Sequence, residues 1–176
     1  MVEAAFLGFG PGYDEETFGD VLQREFENLE WTHARMTVAW IEEVVGTAGE
    51  PQMDIMEAIE SFMAEEKQLQ ISVGNAFGDT EREGIERLSD AGAQIYYCNT
   101  ANRVTFHPKL YLFYNDEQFA LYVGSVNFKD SAMLDNWEAM ARITGHRDDG
   151  ETFQQVMAYS DRLADTAHND IIGVEE

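Results

Sequence analysis

Phe106-His107-Pro108-Lys109-Leu110-Tyr111-Leu112-Phe113 is the stretch from which the rest of the chain can be read. Its aromatic and branched residues favour a β-strand. Alternate side chains of a strand share a face, so His107 and Lys109 point the same way. A base or nucleophile thus stands beside a fixed cation. Residues 119–123 predict the next strand. Gly124-Ser125-Val126-Asn127 closes it with a turn that brings the Ser125 hydroxyl and the Asn127 amide to a strand end. A third strand is predicted from about Asn136, with Glu138 on the same face as Asn136. One His, one Lys, one Ser, one Asn and one Glu then converge at neighbouring strand ends. The set contains no thiol, and a single His with a single carboxylate is thin for a metal centre. Taken singly, each residue has a structural reading, and Pro108 removes a ladder donor from a strand. A purely structural strand gives no reason to gather all five.

The set suits phosphoryl transfer without a metal. A phosphodiester needs a nucleophile, cations or donors on its oxygens, and a proton for the leaving group. His107-Pro-Lys109, Gly124-Ser125-Val-Asn127 and Glu138 resemble the HxK, GSxN and Glu elements of the phospholipase D superfamily. The similarity is closest to its nuclease-like branch, which includes metal-independent endonucleases and restriction-enzyme domains. It covers roughly residues 104–143. The longer family pattern, HxKxxxxD, has an Asp where this chain has Tyr114, a departure common in the nuclease-like branch.

The resemblance implies a layered α/β/α fold with a mixed sheet, in a single phosphodiesterase domain over residues 1–176. It implies no cofactor, no metal, and nucleic acid as substrate. It also implies two HxK motifs per active site, one His attacking phosphorus and the other protonating the leaving group. This chain has one motif, since neither His33, His146 nor His168 has a Lys two residues later. A working site would need a second chain, and a two-fold homodimer is the economical solution. By resemblance, His107 is nucleophile or acid, and Lys109 and Asn127 hold phosphate oxygens. Ser125 is a supporting donor on the Gly124 turn, and Glu138 orients His107 and fixes its tautomer.

Composition sets the surroundings of this chemistry. The chain carries 34 acidic residues against 11 basic ones, a formal net charge of -23. Its apolar periodicity is intact, so it is not a disordered acidic tail. Repulsion on this scale destabilises a compact state in dilute buffer, and at molar salt the Debye length shrinks to about 3 Å. The surface reads as adapted to a salt-rich cytoplasm, as in haloarchaea. An acidic protein-binding surface or nucleic-acid mimic is the competing reading, and the spread of charge along the whole chain argues against it. Arg35, Arg103, Lys129 and Arg142 are candidate local cations for a nucleic-acid substrate. Cys98 is the only cysteine, so no intramolecular disulfide forms. No membrane span or signal peptide is expected, and the expected compartment is the cytoplasm.

In chain order, residues 3–9 predict a strand. A helix from about Asp14 to Glu30 puts Phe18, Val21, Leu22, Phe26 and Leu29 on one stripe, with an acidic first turn. Residues 33–41 predict a strand, about 52–67 a helix, and 69–73 a strand. Thr80 and Glu83 form a capping-box pattern for a helix ending at Gly92. Residues 93–97 predict a strand, 99–103 a polar loop, and 145–150 a charged turn. A last helix carries Phe153, Val156, Met157 and Leu163, and the tail from about Thr166 has weak signals. Strands alternating with helices, followed by consecutive strands, predict a mixed sheet between helices. Two other functions stay open on these residues. One is a non-enzymatic module of the same fold that docks to a helicase or restriction partner. The other, disfavoured by Tyr114, is a lipid phosphodiesterase.

Overall fold

Seven strands and five helices follow one another in a computed structural model that describes residues 1–11, 16–43, 46, 54–74, 80–98 and 106–166. The strands are β1 (Glu3–Phe9), β2 (His33–Val38), β3 (Gln68–Gly74), β4 (Gln94–Cys98), β5 (Leu110–Tyr114), β6 (Gln118–Gly124) and β7 (Glu138–His146). The helices are α1 (Phe18–Glu27), α2 (Ile55–Ala64), α3 (Arg82–Asp90), α4 (Asp130–Leu134) and α5 (Thr152–Thr166). The strands form one sheet in the order β1-β7-β6-β5-β2-β3-β4. β2, β3 and β4 are parallel, while β5, β6, β7 and β1 are joined by antiparallel ladders. The mixed α/β fold is therefore as the sequence predicts.

Period-two alternation assigns the two faces. Met36, Val38, Ile71, Val73, Tyr111, Phe113, Ala120 and Tyr122 point into a large core that α1 to α4 cover with Phe18, Leu22, Phe26, Ile59, Phe62, Leu88 and Met133. The alternate residues Leu110, Leu112, Tyr114, Phe119 and Leu121 form a second core against Phe153 of α5. Each large apolar side chain buried this way contributes about 1.5–3 kcal/mol. The layers are thus unequal, with four helices on one face and one on the other.

The boundaries depart from the sequence pattern for local reasons. Helix α1 starts at Phe18, because Thr17 and Asp20 cap its first turn reciprocally. Asp14 and Glu15 of the expected acidic turn lie outside the described residues. The capping box expected at Thr80 and Glu83 does not form. The N-cap of α3 is Glu81 without a side-chain cap, and the Thr80 hydroxyl donates to the Gly74 carbonyl instead. β2 ends at Val38, three residues before Ile41, which makes an isolated bridge to Phe128. β5 begins at Leu110 rather than Phe106, so His107 precedes the strand and does not sit on it. Pro108, which has no N–H to give a ladder, accounts for the late start. The short helix α4 falls between Asn127 and Asn136, where the sequence gives no helical period. β7 starts at Glu138 and runs to His146, which shortens the expected charged turn. The 99–103 loop and the chain beyond Thr166 lie outside the described residues.

Candidate active site

The sheet's strand directions bring five segments to one edge. β1, β2 and β6 end there, and β5 and β7 begin there. Trp40 follows β2, His107 to Lys109 lead into β5, Gly124 to Asn127 leave β6, and Glu138 opens β7. Every predicted site residue thus lies at this edge.

Lys109 is the anchor. It is only 4 % exposed. Its Nζ lies 2.6 Å from His107 Nδ1, 2.9 Å from His107 Nε2 and 2.9 Å from the His107 carbonyl oxygen. Nζ thus lies against the imidazole within reach of both nitrogens, and a positive charge placed there disfavours a second proton on the ring. Burial and the Lys109 charge both push the His107 pKa below its ordinary value. Burial likewise lowers that of Lys109, with Glu138 opposing. The other two lysines have carboxylate partners, Glu65 at 2.9 Å from Lys67 and Glu42 at 3.3 Å from Lys129. Lys109 has none among the described residues. A buried ammonium placed this way can bind an outside anion.

The backbone holds these groups by core packing. Phe106 is buried against Gly74, where a Cβ would sit 3.2 Å from the Phe106 ring. Trp40 meets the His107 ring edge-on at 5.2 Å. The Lys109 carbonyl accepts from the Gly124 amide at 3.3 Å. Gly124 has no room for a side chain, since a Cβ there would lie 2.1 Å from the Ala139 carbonyl oxygen. That close approach lets the Ser125 amide donate to the same oxygen at 3.0 Å. Tyr111 donates to the Val126 carbonyl at 3.0 Å, and the Glu42 amide to the Phe128 carbonyl at 3.0 Å. Asn127 is fixed between those two anchors.

Asn127 is 8 % exposed, and its Oδ1 is buried with no hydrogen-bond partner among the described residues. An unsatisfied buried amide costs about 1–3 kcal/mol. A half-turn of the amide would present its NH2 in place of the oxygen, ready to donate to an anion. Glu138 accepts from the Ser125 hydroxyl, which in turn accepts from the Ala139 amide at 3.0 Å. The expected Glu138–His107 hydrogen bond is not formed among the described residues. Glu138 acts on the centre through its field, which favours the charged form of Lys109.

The remaining predicted cations divide. Arg35 pairs with Asp161 of α5. Arg142 donates to the Tyr122 hydroxyl at 2.9 Å and lies 3.7 Å from the buried Glu25, within the helix layer. Arg103 lies outside the described residues. Of the three that are described, Lys129 alone is near the centre, 5.8 Å from the Trp40 ring centroid. Trp40 was not singled out by sequence reasoning. Inside the predicted strand 33–41, with no motif around it, it carried no signal. Tyr114, in the place of the family's Asp, is buried at the far end of β5, where it stacks on His33 at 4.8 Å and packs on Phe153. The departure therefore falls in the core and leaves the His107 centre unaltered. Among the described residues no three of His, Cys, Asp and Glu gather as a metal site. No helix among them is long and apolar enough to cross a membrane.

Known proteins bear on this geometry. The family model described as "Cardiolipin synthase, PLD-like domain" matches residues 34–164. NucT from Helicobacter pylori superposes with a TM-score of 0.66 at 15% identity, covering 93% of this chain and 98% of that one. Nuc from Salmonella typhimurium, a phospholipase D family member, superposes with a TM-score of 0.63 at 16% identity, covering 94% of each chain. Polyphosphate kinase from Porphyromonas gingivalis gives a TM-score of 0.61 at 14% identity over 96% of this chain and 27% of that one. At these identities the likeness is one of fold. No curated protein sequence matches this one.

Proposed function

We propose, from the premise that this chain belongs to the phospholipase D-like family, that it is a metal-independent phosphodiesterase acting on DNA or RNA. The observation that carries the reading is the His107–Lys109 pair: an imidazole of lowered pKa against a buried ammonium that no carboxylate pairs with among the described residues. A neutral imidazole has the lone pair a nucleophile needs, and Lys109 with Asn127 supplies charge and a donor for the phosphate oxygens.

The reaction is a double displacement. A His107 nitrogen attacks phosphorus while the bond from phosphorus to the leaving oxygen breaks. In a homodimer the negative charge of the bound phosphodiester keeps His107 of the partner subunit protonated, and the leaving oxygen takes that proton. Water then attacks the phosphohistidine, giving its proton back to the same partner imidazole, and His107 is released. One chain supplies only one such imidazole, so two chains share each site. Val123 and Trp137, beside Gly124 and Glu138, are exposed large apolar side chains that support a partner at this edge. A module that only docked to another protein would have no use for a buried Lys109 gathered with His107 and Asn127.

One experiment tests the reading. Cleavage of a labelled oligonucleotide is followed in molar KCl with EDTA, while wild-type chains are dissociated and reassociated with excess His107→Ala chains. Cleavage should survive chelation and fall more steeply than the wild-type fraction, because mixed dimers hold one imidazole. Loss in EDTA with rescue by magnesium would remove the phosphohistidine mechanism. A fall merely proportional to the wild-type fraction would remove the shared site.

A further inference from the structure

Two of the chain's three lysines approach one indole. Lys109 Nζ lies 5.6 Å and Lys129 Nζ 5.8 Å from the Trp40 ring centroid. Measured to one centroid, these distances put the two ammonium groups no more than 11.4 Å apart. Successive phosphates of a nucleic-acid strand advance by about 3.4 Å along its axis, so a phosphate adjoining one held at Lys109 falls within that reach. Trp40 also contacts the His107 ring, which ties the Lys129 position to the reacting centre.

Lys129 faces a weak competitor. Glu42 Oε1 stands 3.3 Å from its Nζ, beyond the roughly 2.7–2.9 Å of a good charge-assisted hydrogen bond. The other Glu42 oxygen accepts from the Asp130 amide at 2.7 Å and is engaged there. The two side chains are 26% and 24% exposed, so an anion can reach them from solvent. We propose that Lys129, walled by Trp40, is a second phosphate subsite beside the His107–Lys109 centre, taking the phosphate next to the scissile one and parting from Glu42 as it does. The subsite makes the protein prefer a chain of phosphates to a single diester. Its assignment to a nucleic-acid backbone rests on the function proposed above, whereas the subsite itself rests on the lysine pair.

The test compares affinities in molar KCl for inorganic phosphate, tripolyphosphate and a thymidine pentanucleotide, read by tryptophan fluorescence. Lys129→Ala should weaken tripolyphosphate and pentanucleotide binding at least five-fold and phosphate binding less than two-fold. Lys129→Arg should retain the affinities. Glu42→Gln keeps an acceptor for the Asp130 amide but drops the competing charge, so it should tighten both longer ligands two-fold or more. A plain structural ion pair predicts the opposite sign for Glu42→Gln. Equal losses on all three probes, no loss, weaker binding in Glu42→Gln, or wild-type protein that binds none of them would each overturn the subsite. The pattern on tripolyphosphate without any pentanucleotide binding would uphold the subsite and remove the nucleic-acid reading.

Discussion

Among single residues, the chemistry turns on the protonation of His107. Burial is the larger cause of its lowered pKa and the Lys109 charge the smaller. The imidazole should therefore stay neutral below the ordinary histidine value of 6.5. A proton-resonance titration of His107 should give a midpoint under 6.5, and Lys109→Met should move it upward without restoring it fully. A midpoint at or above 6.5, or a further fall in Lys109→Met, contradicts the account. The sign for folding follows from linkage. The unfolded chain binds a proton at His107 more readily than the fold does. Stability contributed by the neutral imidazole is thus complete above 6.5 and declines as pH falls toward the depressed value. The His107 side chain is only partly desolvated and remains open to solvent, so this contribution to stability is small.

Within and between elements, the Gly124 approach decides how well the site is assembled. A methyl at Gly124 would sit 2.1 Å from the Ala139 carbonyl and 2.6 Å from Met140 Sδ, and neither β6 nor β7 can retreat without opening their ladder. Gly124→Ala should cost about 1–3 kcal/mol, as overpacking does. For a chain of this size that is roughly 2–4 °C in melting temperature per kcal/mol. Unchanged melting would show that the ladder yields more easily than the packing implies. This level also shows what the sequence could and could not reveal. The succession of strands and helices along the chain and the gathering of His107, Lys109, Ser125, Asn127 and Glu138 at strand ends were legible, because apolar alternation and a three-part motif report them directly; the order of the strands across the sheet was not. The start of β5 was not, because aromatic residues 106–113 look like one strand until Pro108 is weighed as a missing donor. The five-residue α4 is too short for a helical period to register. The Ser125–Glu138 bond and the place of Trp40 beside two lysines depend on how loops from distant positions meet, which no local pattern carries.

The whole molecule must carry a formal net charge of -23 around that site. Arg24, Arg35, Arg82, Arg87 and Arg147 each lie within reach of a carboxylate, so local pairing is nearly saturated. Two electrostatic effects then oppose one another as salt rises. Screening weakens these pairs, but an exposed pair contributes only about 0–1 kcal/mol. Screening also relieves repulsion among the carboxylates left over, 34 acidic residues against 11 basic ones. That repulsion acts over the whole surface at a Debye length of about 30 Å in 0.01 M salt and hardly at all at about 3 Å in molar salt. The second effect should win. Melting temperature should climb steadily from dilute buffer to several molar KCl, and low salt should loosen the proposed dimer or unfold the chain. Potassium chloride is the informative salt, since strongly excluded salts such as sulfate also strengthen apolar burial. A melting temperature that stays flat or falls across the KCl series would mean that the carboxylates do not burden the fold. The acidic surface would then be better read as a docking face for a cationic partner than as an adaptation to salt.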